Sequence, residues 1–263
     1  MAGIERHTGR KFGRGNIVST ELVTYVSKDD IAIITLNRPE KLNALSVELG
    51  EELRSAWQRF EAGDDRVAIL ASATPRAFTV GADLSNPPEI WRFTPSVGVD
   101  VTKPIIAAVD GYCVGGGVVL VNFCDLCVVA DTAVFSYPEA KVGVTGGLIT
   151  SLAARIPHKI AMEFMLFVED ISAQRAYEVG MVNKVVPPDQ LMDAAMEYAT
   201  KLKDHAPMVL SAIKRFVGEV MPKGPSERAG IARRDTEAIL DSEDKLEGIA
   251  SFKEKREPKF TGR

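Results

Sequence analysis

Short apolar runs closed by turn residues alternate with segments of helical periodicity along most of the chain. β-branched and aliphatic residues dominate these runs, which are typical of buried strands. The predicted strands lie at 31–36, 67–71, 105–109, 126–130 and 134–137.

Helical spacing separates several of these strands. Between residues 43 and 60 apolar side chains recur every three or four positions, which predicts an amphipathic helix with Ser46 as its N-cap. A second helix begins among the glycines at 115–117 and continues to about Cys124. Because strands and helices alternate, we predict an α/β core with parallel strands.

The character of the sequence changes after about residue 188, where helical spacing becomes nearly continuous, with breaks at Ala206–Pro207 and around 221–225. We therefore predict an α/β core over 17–199 and a helical region over 200–263. Residues 1–16 are polar and basic and contain no apolar segment of the signal-peptide kind. They are predicted to be a disordered leader, with a short organellar presequence as the alternative.

The composition excludes several classes of function. Hydrophobic residues make up 46% and charged residues 26% of the 263 positions, which is ordinary for a soluble enzyme. The net charge of −4 offers no basic excess for a nucleic-acid partner. No run of about 18 apolar residues predicts a membrane span, so we expect a cytoplasmic protein without a membrane or nucleic-acid partner.

Three cysteines, Cys113, Cys124 and Cys127, lie within one apolar stretch. The Cys124–Cys127 spacing resembles half of a redox or zinc site, but no second pair follows it. We therefore predict buried free thiols and no metal site.

Two glycine-containing segments follow predicted strands. The first is Gly81-Ala82-Asp83-Leu84, and the second is Gly115-Gly116-Gly117 at the start of a helix. Unpaired N–H groups at a helix N-terminus suit an anion, or an oxygen that becomes anionic during a reaction. The alternative is that the glycines only permit close packing of the helix on a strand. Neither a phosphate-loop nor a dinucleotide-binding spacing is present.

Glu139 follows Tyr137 and Pro138 at the end of a predicted strand, among apolar residues. Desolvation there would raise the pKa of its carboxyl and suit it to proton transfer near neutral pH. The alternative is a surface glutamate paired with Lys141.

The order of these segments resembles the crotonase superfamily, the enoyl-CoA hydratase/isomerase family, from about residue 31 to residue 263. The resemblance rests on Leu36-Asn37-Arg38-Pro39, Lys41-Leu42-Asn43-Ala44-Leu45, 78–84, 105–117, Tyr137-Pro138-Glu139, Ile171-Ser172-Ala173, Gly180-Met181-Val182 and 247–256. It implies a spiral of repeated β-β-α units, with the helical region 200–263 joining subunits into a homotrimer or a dimer of trimers.

The resemblance also implies an acyl-CoA thioester substrate and no separate cofactor, since coenzyme A is part of the substrate. In this family two backbone N–H groups bind the thioester oxygen, and by position they belong to Ala82 and Gly116. Glu139 matches the carboxylate that moves a proton at the substrate α-carbon. Other family positions implied to contact the substrate are Lys41, Ala44, Gly81, Asp83, Leu84, Trp91, Gly115, Pro138, Phe252 and Lys255.

One departure from the family pattern changes the expected chemistry. Hydratases with two carboxylates carry a second glutamate where this chain has Val119. Isomerases of the family use a single carboxylate, so both hydration and isomerisation of an enoyl-CoA stay open. Gly147 occupies the position of the aspartate that dienoyl isomerases and aryl dehalogenases require.

Several alternatives remain at this stage. An aromatic or cyclic acyl-CoA hydratase-lyase or C–C hydrolase is the second choice, with Trp91 and Phe93 either lining the acyl pocket or capping the short loop 85–100 against the core. Glu89 is a candidate replacement for the missing carboxylate. A catalytically silent acyl-CoA-binding homologue is the alternative from another class. The tail residues Lys253, Lys255, Arg256 and Lys259 either bind coenzyme A phosphates or form a solvated basic tail.

Overall fold

A computed structural model describes residues 21–263, so the predicted leader at 1–16 lies outside the described residues. In chain order the strands are β1 (Val23–Lys28), β2 (Ile31–Leu36), β3 (Val67–Ser72), β4 (Ala77–Thr79), β5 (Ile105–Val109), β6 (Tyr112–Val114), β7 (Leu126–Ala130), β8 (Val134–Ser136), β9 (Ile171–Ser172) and β10 (Lys184–Val186). The helices are α1 (Val47–Ala62), α2 (Gly116–Asn122), α3 (Glu139–Val142), α4 (His158–Phe167), α5 (Ala173–Glu178), α6 (Leu191–Lys203), α7 (Pro207–Val220), α8 (Pro225–Leu240) and α9 (Glu243–Glu254). Short 3-10 turns occupy Pro39–Lys41, Ile90–Phe93, Leu148–Ala154 and Pro188–Gln190.

The strands form two sheets. The larger sheet has the order β1-β2-β3-β5-β7-β10, and the smaller has the order β4-β6-β8-β9. All neighbours are parallel except the β1/β2 hairpin and the β8/β9 pair. Successive units place a long strand in the larger sheet, a short strand in the smaller sheet, and then a helix, as in β5-β6-α2 and β7-β8-α3. The predicted β-β-α spiral is confirmed.

The apolar runs of the larger sheet are continuous because both of its faces are covered. Trp57 and Phe60 of α1 are buried in the main core with Ile34 and Leu70 of the sheet. On the opposite face, apolar residues of α6 form a second cluster with alternate residues of the same strands. A strand covered on both faces loses the alternation of apolar and polar residues that an exposed strand shows.

The predicted long strands are confirmed at 31–36, 105–109 and 126–130, and β3 extends one residue beyond its predicted end. The apolar spacing counted from residue 43 begins before the helix itself. Asn43 has a left-handed backbone with φ of 55°, and the helix begins only after Ser46, whose hydroxyl accepts a hydrogen bond from the Leu49 N–H at 3.3 Å. The Ser46 cap itself is confirmed.

The C-terminal helices follow the predicted breaks, because α7 begins at Pro207 and α8 at Pro225. Helix α6 runs across the predicted boundary at residue 200, which stays a prediction. Apolar residues on one side of α7 are exposed in the single chain: Val209, Ile213, Phe216, Val217 and Val220. Across residues 21–263, the length and apolarity needed to span a bilayer are not met by any helix.

Candidate active site

Three chain segments of the candidate site leave the smaller sheet at one edge. Strands β4, β6 and β8 run parallel, with Thr79 beside Cys113 and Cys113 beside Phe135. Because carboxyl ends of parallel strands meet at the same edge, the residues that follow them lie close together. Ala82 follows β4, Gly116 follows β6 and Glu139 follows β8. The sheet therefore brings the three residues predicted to be catalytic to one edge.

The turn between β6 and α2 has a backbone that only glycine adopts readily. Gly115 has φ of 54° and ψ of −110°, and its N–H donates to the Ser136 carbonyl at 2.9 Å. The first helical hydrogen bond of α2 runs from Val119 N–H to the Gly115 carbonyl at 3.2 Å. Within residues 21–263, the Gly116 N–H accordingly has no protein acceptor, as expected in the first turn of a helix.

The Ala82 N–H is the second free donor of the site. Leu45 pairs with the chain on either side of Ala82: its N–H donates to the Gly81 carbonyl at 2.8 Å, and its carbonyl accepts from the Asp83 N–H at 2.8 Å. Because N–H groups of successive residues in an extended chain point to opposite sides, the Ala82 N–H points away from Leu45. It donates to no acceptor in the described part of the chain.

The two donor segments contact each other. A Cβ atom on Gly81 would lie 3.1 Å from the Val114 carbonyl oxygen and 3.9 Å from the Gly115 Cα. On the side of Gly116 where a Cβ atom would stand, Leu45 and Ile90 fill the space, with methyl carbons at 3.0 Å. Gly116 therefore permits close packing and also presents an N–H without an acceptor among the described residues. The alternative that the glycines serve packing alone describes only part of what is observed.

The Glu139 carboxyl lies directly over Gly115. A Cβ atom on Gly115 would be 2.8 Å from Glu139 Oε1, so any larger residue there would displace the carboxyl. Glu139 Oε2 is buried and has no hydrogen-bond partner among the residues described. Lys141 does not pair with it, because its Nζ donates to the Val168 carbonyl at 3.4 Å. The alternative of a surface Glu139–Lys141 pair was wrong.

Burial raises the pKa of Glu139 to about 7, because desolvation disfavours the carboxylate. Its own backbone N–H offsets part of this effect by favouring the charged form. A carboxyl with this pKa exists in both protonation states near neutral pH, and a group in that condition can both take and return a proton.

The segment after Glu139 is held by a second buried residue. The Tyr137 hydroxyl and Thr145 Oγ1 are 3.0 Å apart, and Thr145 Oγ1 accepts from the Gly147 N–H at 3.1 Å. Desolvation raises the pKa of Tyr137, so the phenol stays neutral. The turn from 143 to 147 is thereby tied to the strand end that carries Glu139.

The candidate replacement for the carboxylate missing at Val119 was Glu89. Val119 is buried in the main apolar cluster. Glu89 is 56% exposed and forms ion pairs with Arg92 at 3.7 Å and Arg233 at 3.2 Å. An exposed, paired carboxylate is a poor general base, so the suggested role of Glu89 is not supported.

The aromatic residues of the 85–100 loop have different surroundings. Phe93 is buried against Gly50 of α1, and its carbonyl accepts from Trp57 Nε1 at 3.2 Å. Phe93 therefore caps the loop against the core, and the alternative that it lines an acyl pocket was wrong. Trp91 packs against Gly230 of α8, and its buried Nε1 has no partner within the described chain.

The remaining predicted substrate contacts fall into two groups. Gly81, Gly115 and Pro138 lie next to the three central residues, and Ala44 is half-buried beside them, with its carbonyl accepting from Arg38. Asp83 is occupied by protein partners, whereas Leu84 is 70% exposed at the rim. Lys41 is exposed on its 3-10 turn, Phe252 is 86% exposed on α9, and Lys255 ends that helix. The substrate-binding roles of all these residues stay predictions.

Sequence reasoning did not single out several residues that shape the site. Arg38, Asn43 and Thr79 form hydrogen bonds around the Ala82 segment, and Ile90 contacts Gly116. A buried asparagine and an arginine before a proline were available signals, but their partners lie far away in sequence. The three cysteines are free and largely buried, and desolvation raises their pKa values, as predicted for inert thiols.

Comparisons with known proteins identify the family of the chain. The family model for enoyl-CoA hydratase/isomerase matches residues 27–90 and 96–263. The (E)-benzylidenesuccinyl-CoA hydratase of Thauera aromatica is 35% identical over 256 residues, covering 91% of this chain and 99% of that protein. The carnitinyl-CoA dehydratase of Proteus mirabilis is 33% identical, with 90% and 97% coverage.

Solved structures give the same result. An enoyl-CoA hydratase from Mycobacterium tuberculosis matches with a TM-score of 0.72 and 33% identity, covering 92% of this chain and 99% of that one. A carnitinyl-CoA hydratase from Mycobacterium avium matches with a TM-score of 0.73, 29% identity and the same coverage of 92% and 99%. The chain therefore belongs to the enoyl-CoA hydratase/isomerase family, has the crotonase fold, and is an acyl-CoA enzyme of the hydratase/isomerase type.

Proposed function

We propose that the protein transfers a proton at the α-carbon of a 2-enoyl- or 3-enoyl-CoA, with Glu139 as the acid/base. The Ala82 and Gly116 N–H groups bind the thioester oxygen and stabilise the enolate that forms. The observation that carries the proposal is the Glu139 carboxyl, which lies over Gly115, next to the Gly116 N–H, while the segment carrying the Ala82 N–H contacts the same turn.

The chemistry follows from the charges. As the α-carbon loses a proton, or as a nucleophile adds to the β-carbon, negative charge moves to the thioester oxygen. Two fixed N–H donors stabilise that charge, and removing one such donor typically costs about 10²–10³ in rate. Glu139 has a pKa of about 7, which suits a group that must gain and lose a proton in each cycle.

Reversible hydration of a 2-enoyl-CoA is the first candidate, because the named relatives are hydratases and a dehydratase. Water oxygen bonds to the β-carbon while protonated Glu139 gives its proton to the α-carbon, and the proton lost by the water restores the carboxyl. Isomerisation of a 3-enoyl-CoA is the second candidate, and Val119 favours it. There the Glu139 carboxylate takes an α-proton and returns it to the γ-carbon, so one carboxylate is sufficient.

The acyl group and the coenzyme A contacts are also proposals. The benzylidenesuccinyl-CoA hydratase is a relative whose name specifies an aromatic acyl group, so an aromatic or cyclic acyl-CoA hydratase-lyase or C–C hydrolase remains an alternative. Lys41, Phe252 and Lys255 are proposed to contact coenzyme A, with Phe252 and Lys255 supplied by a neighbouring subunit. No cofactor beyond the coenzyme A of the substrate is proposed.

The assembly and location are proposed on separate grounds. The exposed apolar side of α7 supports assembly with other subunits, because a stripe of this kind is usually covered in the working assembly, and the family resemblance implies that the assembly is a homotrimer or a dimer of trimers. The absence of any spanning helix in residues 21–263 is compatible with the proposed cytoplasmic location.

The test is an assay of crotonyl-CoA, 3-hexenoyl-CoA and feruloyl-CoA, with mass spectrometry of deuterium entering the α-carbon in D2O. We expect turnover of at least one enoyl-CoA, with a fall of about 10²–10⁴-fold in Glu139→Gln. Glu89→Gln is the matched control, because it removes an exposed carboxylate near the site and should leave turnover unchanged. Undiminished turnover or exchange in Glu139→Gln would refute the proposal. Tight coenzyme A binding without turnover of any thioester would instead favour the silent homologue.

A further inference from the structure

We propose that the Arg38–Asp83 ion pair is a positioning device for the Ala82 N–H. In this role Arg38 and Asp83 touch no reacting atom, but they determine how well the thioester oxygen is bound. The inference rests on the proposed function of Ala82 as an oxyanion donor.

The ion pair is short and shielded. Arg38 Nη1 lies 2.8 Å from Asp83 Oδ2, and the two side chains are only 18% and 16% exposed. The same Nη1 donates to the Ala44 carbonyl at 3.0 Å. One guanidinium thus joins the segment before Leu45 to the residue after Ala82. Partly buried pairs are screened by salt much less than exposed ones.

Asp83 uses its other oxygen to shape the chain that follows. Its Oδ1 accepts from the Ser85 N–H at 3.1 Å and from Ser85 Oγ at 2.6 Å. These bonds and the Arg38 contact lower the pKa of Asp83 to about 2. Asp83 was predicted to bind substrate, but its carboxylate is occupied by these protein groups.

The chain on both sides of Ala82 is held, while the Ala82 N–H is left free. Before it, the Gly81 N–H donates to Thr79 Oγ1 at 3.1 Å, and Thr79 Oγ1 donates to the Asn43 carbonyl at 2.6 Å. After it, the Asp83 N–H donates to the Leu45 carbonyl at 2.8 Å. The Asp83 side chain provides the only ionic link in this arrangement among the residues described.

Asn43 secures the loop that carries Arg38. Its Oδ1 accepts from the Arg38 N–H at 2.8 Å, and its Nδ2 donates to Ser72 Oγ at 2.8 Å and the Phe78 carbonyl at 3.1 Å. The backbone of Arg38 is therefore fixed without Asp83. Removing the ion pair should loosen the 81–83 segment that carries the Ala82 N–H while the surrounding fold stays intact, which separates positioning from folding.

The experiment compares Arg38→Gln, Asp83→Asn and the double variant with Glu40→Gln. Glu40 is the matched control, because it is a 68% exposed carboxylate at 3.9 Å from the same arginine. With crotonyl-CoA or the best enoyl-CoA found, we expect kcat to fall about 10-fold in each single variant, as a small misplacement of a donor predicts. The double variant should fall no further, KM should change less than kcat, and Glu40→Gln should match the wild type.

Infrared spectra of bound butyryl-CoA labelled with 13C at the thioester carbonyl provide a readout without turnover. Binding to the wild type or to Glu40→Gln should lower the carbonyl frequency relative to free ligand. Binding to Arg38→Gln or Asp83→Asn should lower that frequency less. An unchanged frequency and kcat in both variants would refute the positioning role. No frequency shift in the wild type would refute the oxyanion site itself, which distinguishes the two failures. If Asp83→Asn does not fold, Arg38→Lys tests the same prediction. Its carbonyl frequency should differ from that of the wild type by less than the frequency in Arg38→Gln does.

Discussion

The two sides of the candidate site are built on opposite principles. On the proposed oxyanion side, Gly81 and Asp83 form hydrogen bonds on both flanks of Ala82, and the Ala82 N–H has no acceptor within residues 21–263. On the proposed acid/base side, Glu139 has a buried oxygen without a hydrogen-bond partner among the described residues, and its pKa is raised to about 7. A donor must be held still, so it needs many bonds. A proton-transfer group must change charge, so it needs few.

The largest expected effect on activity comes from a substitution at Gly115, where an added side chain would collide with the Glu139 carboxyl. In Gly115→Ala the new Cβ would lie 2.8 Å from Glu139 Oε1, on a backbone with φ of 54°. We expect turnover to fall about 100-fold because the carboxyl is displaced. The free energy of unfolding should also fall by about 1–3 kcal/mol from backbone strain. Steady-state kinetics and denaturant unfolding measure the two effects.

Gly218→Ala is the control for this substitution. Gly218 lies in α7, and an added Cβ meets nothing within 4 Å. Activity should be unchanged and stability should rise by about 0.5–1 kcal/mol, as expected for alanine in a helix interior. Full activity in Gly115→Ala would show that the carboxyl does not need its place over Gly115.

The next largest effect is the pH dependence of kcat/KM, and the direction of that change depends on the reaction. Hydration requires protonated Glu139, so kcat/KM should fall as pH rises through about 7. Isomerisation, and dehydration of a 3-hydroxyacyl-CoA, begin with the carboxylate, so kcat/KM should rise through the same pH. Rate profiles from pH 5 to 9 test this, and a flat profile in both directions would contradict the raised pKa.

The free energy of unfolding should also depend on the protonation of Glu139. The folded-state pKa of Glu139 lies above its ordinary value, so folding favours the protonated form. The stabilisation from this group is present below the ordinary glutamate pKa and is lost as pH rises toward about 7. Glu139→Gln should lose this pH dependence of unfolding, whereas other acidic groups should keep theirs.

The smallest effect concerns the hydroxyl of Tyr137. Tyr137→Phe removes its 3.0 Å contact with Thr145 and should lower the free energy of unfolding by about 1 kcal/mol, the usual worth of one hydrogen bond. Tyr177→Phe removes an exposed hydroxyl and is the control. Thermal unfolding measures both, and equal melting temperatures would show that this contact does not hold the turn after Glu139.

The predictable part of the fold was the part encoded by local pattern. The long strands and the Ser46 cap of α1 depend on periodicity and on one short-range hydrogen bond. Three residues are too few to show a period: β8 was predicted at 134–137, but β4 and β6, which have the same length, escaped prediction. Yet these strands, together with β8, bring Ala82, Gly116 and Glu139 to one edge.

By itself, then, the sequence determined the long strands, the glycines that a tight turn demands, and the identity of the groups at the site, while its family resemblance implied the β-β-α order. Only the tertiary structure decided which of these groups are paired, charged or buried. It left Glu139 without Lys141, occupied Asp83 with Arg38, and placed Phe93 in the core. These outcomes depend on residues distant in the chain, and a side chain's charge and freedom are set by such neighbours rather than by its place in a local pattern.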